Sequence, residues 1–288
     1  KVEVGGLVSG DSHVTCGRCY QCRIGEEHVC LNEAILGISI NGIFAEYVKI
    51  PAKNLWAVDE RRVRPEIAAI YDPFGNAVHA CTVTDFRGQR VAIFGCGPIG
   101  LFAVLLARHF GAAKIIAVDV NPANLKTAKA VGAHETILIK KSEKKNDWEP
   151  DKAAVQKIMQ LTYGKGVDIS MEMAGPPSSL NNCIESTRRG GHVIAFGIKD
   201  GDMTIPNFSR NVIVRGLTIH GIIGRQIFRT WQIAQRMLSD KSNGIQDAIW
   251  ETILLKGKGT MLDFHKFTPE SFEEALNKYP KITFKING

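Results

Sequence analysis

Three things are missing from this 288-residue sequence, and each absence narrows what the chain can be. There is no apolar run of membrane length. Stretches such as residues 101–107 fall far short of the roughly 18–20 residues that a spanning helix needs, and no targeting segment is visible, so no membrane partner is expected. There is no concentrated basic tract. The formal charge is +7, but Lys and Arg are scattered among acids, and the densest run, residues 140–145, reads as a solvated loop rather than a nucleic-acid surface. There is no even set of cysteines. Seven is an odd number, and four of them crowd into fifteen positions, which argues against a disulfide framework and for a metal in a reducing compartment, hence the cytoplasm. The chain also opens at Lys1 without a methionine or a cap, in mid-pattern, so a preceding segment is expected.

What is present is the composition of a globular enzyme, 44% hydrophobic and 23% charged, with length for two domains of about 150 residues each. The pattern is organised around residues 91–119. Residues 91–95 form a short apolar run that ends at once in Gly95-Cys96-Gly97-Pro98-Ile99-Gly100, the signature of a buried parallel strand entering a tight turn. The turn matches GxGxxG: Gly95 for the turn, Gly97 for approach to a pyrophosphate, Gly100 for close packing of the next helix. Pro98 suits the first helical turn and Gly111 a left-handed end. A second apolar strand, 114–118, then delivers Asp119, an acid placed to accept both ribose hydroxyls and to repel the phosphate of NADP, so NAD is the expected cofactor. An ordinary strand–helix–strand unit with a ligand-free glycine turn is the competing explanation.

Cys16-Gly17-Arg18-Cys19-Tyr20-Gln21-Cys22, followed after seven residues by Cys30, can wrap a tetrahedral ion with four thiolates and no open position, which describes structural zinc. An iron–sulfur cluster would call for a shorter last gap and a proline after Cys30, where Leu31 stands. His13 and His28 flank the loop without being needed as ligands. Cys81, Cys96 and Cys183 sit alone in helix, turn and helix patterns and are expected to be buried small side chains.

The remaining pattern predicts strands at 2–9 and 42–50, a helix from Phe74 to Cys81, a helix over 122–131, a strand at 135–139 and a helix at 152–161. Further strands are expected at 167–173, 192–197 and 217–220, giving six parallel strands in the order 3-2-1-4-5-6. A helix over 226–238 and a short one over 272–276 precede a last strand at 281–286, and Trp231 reads as core. Asp72-Pro73 reads as an N-cap followed by proline at the first helical position.

These features resemble the zinc-containing medium-chain alcohol dehydrogenases. The stretches that carry the likeness are Ser9–Cys16, Gly42–Tyr47, Tyr71-Asp72-Pro73-Phe74-Gly75-Asn76-Ala77-Val78-His79, and Gly221-Ile222-Ile223-Gly224-Arg225 with Phe228 and Thr230-Trp231. The nearest branch is the one that oxidises the secondary hydroxyl of L-threonine. The resemblance implies a doubly wound α/β Rossmann domain, residues 79–220, beside a mostly β, partial GroES-like catalytic domain, residues 1–78 with its zinc lobe at 13–32, to which residues 221–288 return. It implies a cofactor site of Gly95, Gly97, Ile99, Gly100, Asp119, Asn124, Phe196, Gly197, Ile198, Ile222 and Ile223. Asn124 stands where relatives carry a basic residue, which weakens the adenosine side of that site. Asp72 is implied to lie beside a catalytic zinc, as ligand or proton relay, while the Cys and His-Glu pair that hold that zinc in the family are expected before Lys1. A homotetramer is implied as well. A polyol or butanediol dehydrogenase, and a non-catalytic dinucleotide-binding relative, remain open as alternatives. Ala174-Gly175-Pro176-Pro177 ends a strand beside the cofactor crevice and is read as a turn.

Overall fold

The structure, a computed structural model, describes residues 2–140 and 146–286. The solvated run predicted at 140–145 therefore lies, apart from Lys140, outside the described residues. The chain divides into two compact units, one made of Lys1–His79 with Ile223–Gly288, the other the contiguous block Ala80–Ile222.

The first unit begins with β1 (Val8–Gly10) and β2 (His13–Val14), then a single helical turn, α1 (Tyr20–Arg23), followed by β3 (Ala34–Ile35) and β4 (Leu55–Ala57). β1 pairs antiparallel with β4, Ser9 opposite Trp56, and β2 pairs with β3. The strand predicted at 2–9 is confined to its end, because a turn closed by the Gly6 N–H on the Glu3 carbonyl, with Gly5 at φ +83°, breaks the extended run. No strand forms over 42–50. A strand needs a neighbour for its N–H and C=O groups, and among the described residues none pairs with this segment; Phe44 and Tyr47 are exposed.

Helices α2 (Pro65–Ala68) and α3 (Tyr71–Thr82) follow. α3 starts three residues before the predicted Phe74, and Asp72 is not its N-cap. The Phe74 N–H already bonds to the Ile70 carbonyl, so Asp72 and Pro73 lie inside the first turn, where the missing proline N–H has no intrahelical partner to lose.

The second unit is built on β5 (Arg90–Phe94), α4 (Pro98–His109), β6 (Lys114–Asp119), α5 (Pro122–Ala130), β7 (Glu135–Leu138), α6 (Lys152–Leu161), β8 (Val167–Glu172), α7 (Pro177–Ser186), β9 (Thr187–Ala195) and β10 (Thr218–Gly221). The sheet runs β10-β9-β8-β5-β6-β7 with every pairing parallel, which in order of the unit's strands is the expected 3-2-1-4-5-6. Parallel strands are covered on both faces and read as continuous apolar runs. Here Ala92, Phe94, Ile116, Val118 and Val193 pack with Ile158 of α6 into one buried cluster. α4 is buried from Gly100 to Ala107 and ends where Gly111 takes φ +81°. Cys81, Cys96 and Cys183 are buried, as expected.

The chain re-enters the first unit with α8 (Arg229–Ser239), α9 (Ile245–Ala248), β11 (Met261–Asp263), α10 (Pro269–Lys278) and β12 (Thr283–Lys285). β11 and β12 pair in parallel beside Phe264, Phe267, Phe272 and Phe284. α8 starts after Phe228, whose φ of +72° interrupts the helix predicted from residue 226. α10 is longer than the segment 272–276 predicted, because Thr268 and Ser271 form a reciprocal cap that nucleates it earlier.

Candidate functional site

The glycine turn after β5 divides its labour among three residues. A Cβ on Gly100 would collide with the Gly95 carbonyl, and one on Gly95 would come within 2.8 Å of the Ala174 Cβ, so both positions need hydrogen for packing. A Cβ on Gly97 would meet nothing within 4 Å. That open space at the start of α4, bordered by helix-terminal N–H groups, is where a phosphate fits. At the end of β6, Asp119 is almost wholly buried and its carboxylate is oriented by the N–H of Cys96 (2.6 Å), that of Asn121 (2.7 Å) and the Asn124 side chain (3.4 Å). Asn124 thus supports the acid itself. Ile99, Phe196 and Gly197 are half-buried and Ile198 exposed; Ile222 is buried at the end of the second unit, and Ile223 is exposed at the return to the first. The donor set and the open space fit a dinucleotide.

The four sulfurs of Cys16, Cys19, Cys22 and Cys30 lie within 4.8 Å of one another. The separations of 4.0 Å for Cys16 and Cys22, 3.5 Å for Cys19 and Cys22 and 3.8 Å for Cys19 and Cys30 match the roughly 3.8 Å edge of a tetrahedron with Zn–S bonds near 2.3 Å. Backbone N–H groups are aimed at the sulfurs: Arg18 and Cys19 at Cys16, and Cys16 and Asn32 at Cys30. The Arg18 N–H, then that of Cys19, hold the Cys16 thiol down to about 6, whereas burial pushes Cys22 up to about 12. Neither histidine joins the cluster. His28 packs edge-on against His79 at 5.2 Å, and His13 faces Arg225. Among the described residues these cysteines form the group suited to a metal. Metal analysis after exhaustive dialysis against a chelator should return one zinc retained per chain, and Cys30→Ser should lose it; retention in the variant would show that this sulfur is not a ligand.

Asp72 sits in a charged network in the first unit. Its Oδ2 accepts the Ser12 N–H (3.2 Å) and pairs with the Arg225 guanidinium (2.8 Å). Arg225 is held from behind by Asp11: Nε donates to Oδ2 at 2.8 Å, and Nη2 pairs with Oδ1. The Trp231 indole N–H (2.6 Å) and the His13 N–H (2.8 Å) complete the shell of Asp11. Burial alone would raise the Asp11 pKa, but the hydrogen bonds from His13 and the charge of Arg225 outweigh it and hold the carboxyl at about 2. Nη2 also lies 3.0 Å from His13 Nδ1. This contact places the His13 ring beside the Asp11–Arg225 pair. Asn54 pins the loop by donating to the carbonyls of Asp11 and His13. Lys281 is within electrostatic reach: burial pulls its pKa down and Asp72 opposes that. Trp231, predicted as core, is buried and stacked between Trp56 and Tyr71.

Sequence reasoning did not assign Asp11 and Arg225 to this site. Arg225 stands in a stretch that carried the family likeness, but nothing in its spacing announces a partner 214 residues away.

Comparison with known proteins bears on this arrangement. The family model described as Zinc-binding dehydrogenase matches residues 98–240, and that of the Alcohol dehydrogenase GroES-like domain matches residues 1–60. The chain is 39% identical to an L-threonine 3-dehydrogenase of Bacillus subtilis over 96% of its own length and 72% of that protein's. It is 37% identical to that of Pyrococcus horikoshii over 99% and 76%, and 39% identical to that of Shewanella loihica over 80% and 63%. Among solved structures, the alcohol dehydrogenase TADH from Thermus sp. ATN1 superposes with a TM-score of 0.81 at 24% identity, covering 98% of this chain and 80% of that one. An Escherichia coli CFT073 alcohol dehydrogenase in complex with NADH superposes with 0.79 at 21% identity, covering 98% and 76%.

Proposed function

The chain belongs to the zinc-binding dehydrogenase family, and from that premise we propose that it oxidises the secondary hydroxyl of L-threonine to 2-amino-3-oxobutyrate with NAD as acceptor. The observation that carries this reading is the identity to L-threonine 3-dehydrogenases along almost the whole chain. A bound NAD would supply the acceptor for the carbinol hydride, and the hydroxyl proton would be left for a group of this chain to take.

Gly95, Gly97 and Gly100 shape the phosphate turn and Asp119 takes the ribose hydroxyls, with Ile99, Asn124, Phe196, Gly197, Ile198, Ile222 and Ile223 as the further contacts. Asp72 is assigned to the proton. Among the described residues its hydrogen bonds fall on Oδ2, which leaves Oδ1 to accept or relay it. The four cysteines would hold a zinc with no position open to substrate, so that ion serves the fold of the lobe. No helix among the described residues is long and apolar enough to cross a membrane. The cytoplasm, favoured by the thiol cluster, and a homotetramer, favoured by the family likeness, complete the proposal; light scattering of the purified protein measures the latter.

The direct test is NADH formation by the purified protein. L-Threonine should be turned over with NAD and poorly with NADP, because Asp119 repels the 2′-phosphate. Asp119→Gly should narrow that preference by about tenfold or more, the loss of roughly 1.4 kcal/mol of discrimination. Polyols or butanediol oxidised in preference to threonine would replace the substrate assignment, and an unchanged cofactor ratio in the variant would remove Asp119 from the site.

A further inference from the structure

We propose that Glu172 is the positioning residue that holds the cofactor-side turns of the second unit in register, an inference that rests on the NAD assignment above. Glu172 is the last residue of β8 and is buried, 2% exposed. A carboxylate so placed is costly unless its oxygens are satisfied, and here backbone donors from two separate turns converge on it. Oε1 accepts the N–H groups of Ala174 and Gly175, each at 2.8 Å, from the turn that leads into α7. Oε2 accepts the N–H of Gly197 at 3.1 Å, from the turn that follows β9. The main-chain carbonyl of Glu172 also receives the N–H groups of Phe196 and Gly197, so this one residue ties the end of β9 to the end of β8 twice.

The clamp reaches the glycine turn by contact. Ala174, fixed by Oε1, is the surface against which Gly95 packs, since a Cβ on Gly95 would come within 2.8 Å of the Ala174 Cβ. A Cβ on Gly175 would come within 3.0 Å of the Ile198 carbonyl. Three turns at the C-terminal ends of three neighbouring strands, β5, β8 and β9, are therefore mutually wedged, and the Glu172 carboxylate is the acceptor that two of them share. In open α/β sheets the ligand lies outside that edge of the sheet. Charge matters to the arrangement. A carboxylate has acceptor capacity at both oxygens, whereas an amide of the same shape offers one oxygen and an NH₂ group that only donates. Glu172→Gln can satisfy one turn but sets two donors facing each other at the other.

Asp168 supplies the control. It lies near the start of the same strand, about 13 Å away along β8, and pairs with Arg90 (2.9 Å) and Arg188 (2.6 Å). Removing its charge should destabilise the same sheet without touching the turns.

The test is titration of NADH, followed by its fluorescence, into the purified wild type, Glu172→Gln and Asp168→Asn, alongside steady-state kinetics. Wild type should bind. Glu172→Gln should bind about tenfold or more weakly, the loss expected for one charge-assisted hydrogen bond, with KM for NAD raised and kcat and KM for the alcohol substrate largely kept. Asp168→Asn should keep NADH affinity within about twofold while unfolding at lower denaturant. Unchanged NADH affinity in Glu172→Gln, or an equal loss in Asp168→Asn, would overturn the proposal; failure of the wild type to bind would instead remove the NAD reading and this proposal with it. If the Gln variant does not fold, Glu172→Asp keeps the charge on a shorter stem. It should weaken NADH binding and speed amide exchange at Gly197, and a folded Asp variant with wild-type affinity and exchange would refute the clamp.

Discussion

Replacing Asp72 with asparagine should lower turnover by roughly 10- to 10⁴-fold, the range for losing a positioned acid–base group, while the protein stays folded. Asparagine keeps the size and an oxygen for the Ser12 N–H, and loses the charge. Arg225 does not become an orphan, because Asp11 still grips it from behind. The Asp72–Arg225 pair is partly exposed on the Asp72 side, so its loss should cost about 1 kcal/mol, or about 2–4 °C in melting temperature for a chain of this size. A residue with a purely structural role would give the reverse pattern. Near-normal kcat in the variant, measured with saturating alcohol and NAD, would leave Asp72 as support for Arg225 and take the proton assignment away.

The largest loss of stability is expected at Asp11. Asp11 and Arg225 are both nearly inaccessible, and breaking such a pair by neutralising one member typically costs about 3–5 kcal/mol. Asp11→Asn should therefore shift the denaturant midpoint far more than Asp72→Asn. Arg225→Met added to it should cost less than the sum of the two single changes, since the second change removes the charge that the first stranded. The pH dependence has a definite sign. The carboxyl is held at about 2 in the folded protein against 3.8 ordinarily, so its contribution is present above about pH 4 and is lost as pH falls through 2. The shift corresponds to about 2 kcal/mol. Additive single and double variants, or acid unfolding identical in Asp11→Asn and wild type, would show that the pair is not the clamp it resembles.

How much of this was legible in the sequence depended on how local each cause is. The turn at Gly95–Gly100, the acid at Asp119 and the four-cysteine lobe are each specified within about thirty residues, and the structure places the turn between β5 and α4, Asp119 at the end of β6 and the four sulfurs together. The order of the six-stranded sheet followed too, because alternating strands and helices leave few right-handed ways to connect parallel strands. The errors arose where a neighbour decides. Residues 42–50 have the composition of a strand, but composition cannot provide a partner. Asp72-Pro73 has the residue types of a cap and first turn, but the chain arrives from Ile70 already helical. Glu172 sits in an apolar run that predicts a buried strand, and nothing in the sequence says that two later turns will bring their N–H groups to it.

The division of the chain also sets an order of assembly on the ribosome. Cys16 and Cys30 are 14 residues apart, so the thiol lobe can close as soon as it emerges. Asp11 must wait for Arg225, 214 residues later, which at 5–20 residues per second is a delay of roughly 10–40 s. Closing the longer loop from a flexible chain would cost roughly 2 kcal/mol more than closing the shorter one. Ala80–Ile222 is contiguous and makes its own sheet, so its folding during that interval replaces most of the flexible loop with a fixed body. Until then Asp11, Trp56 and Tyr71 lack Arg225 and Trp231, the partners they have in the folded protein.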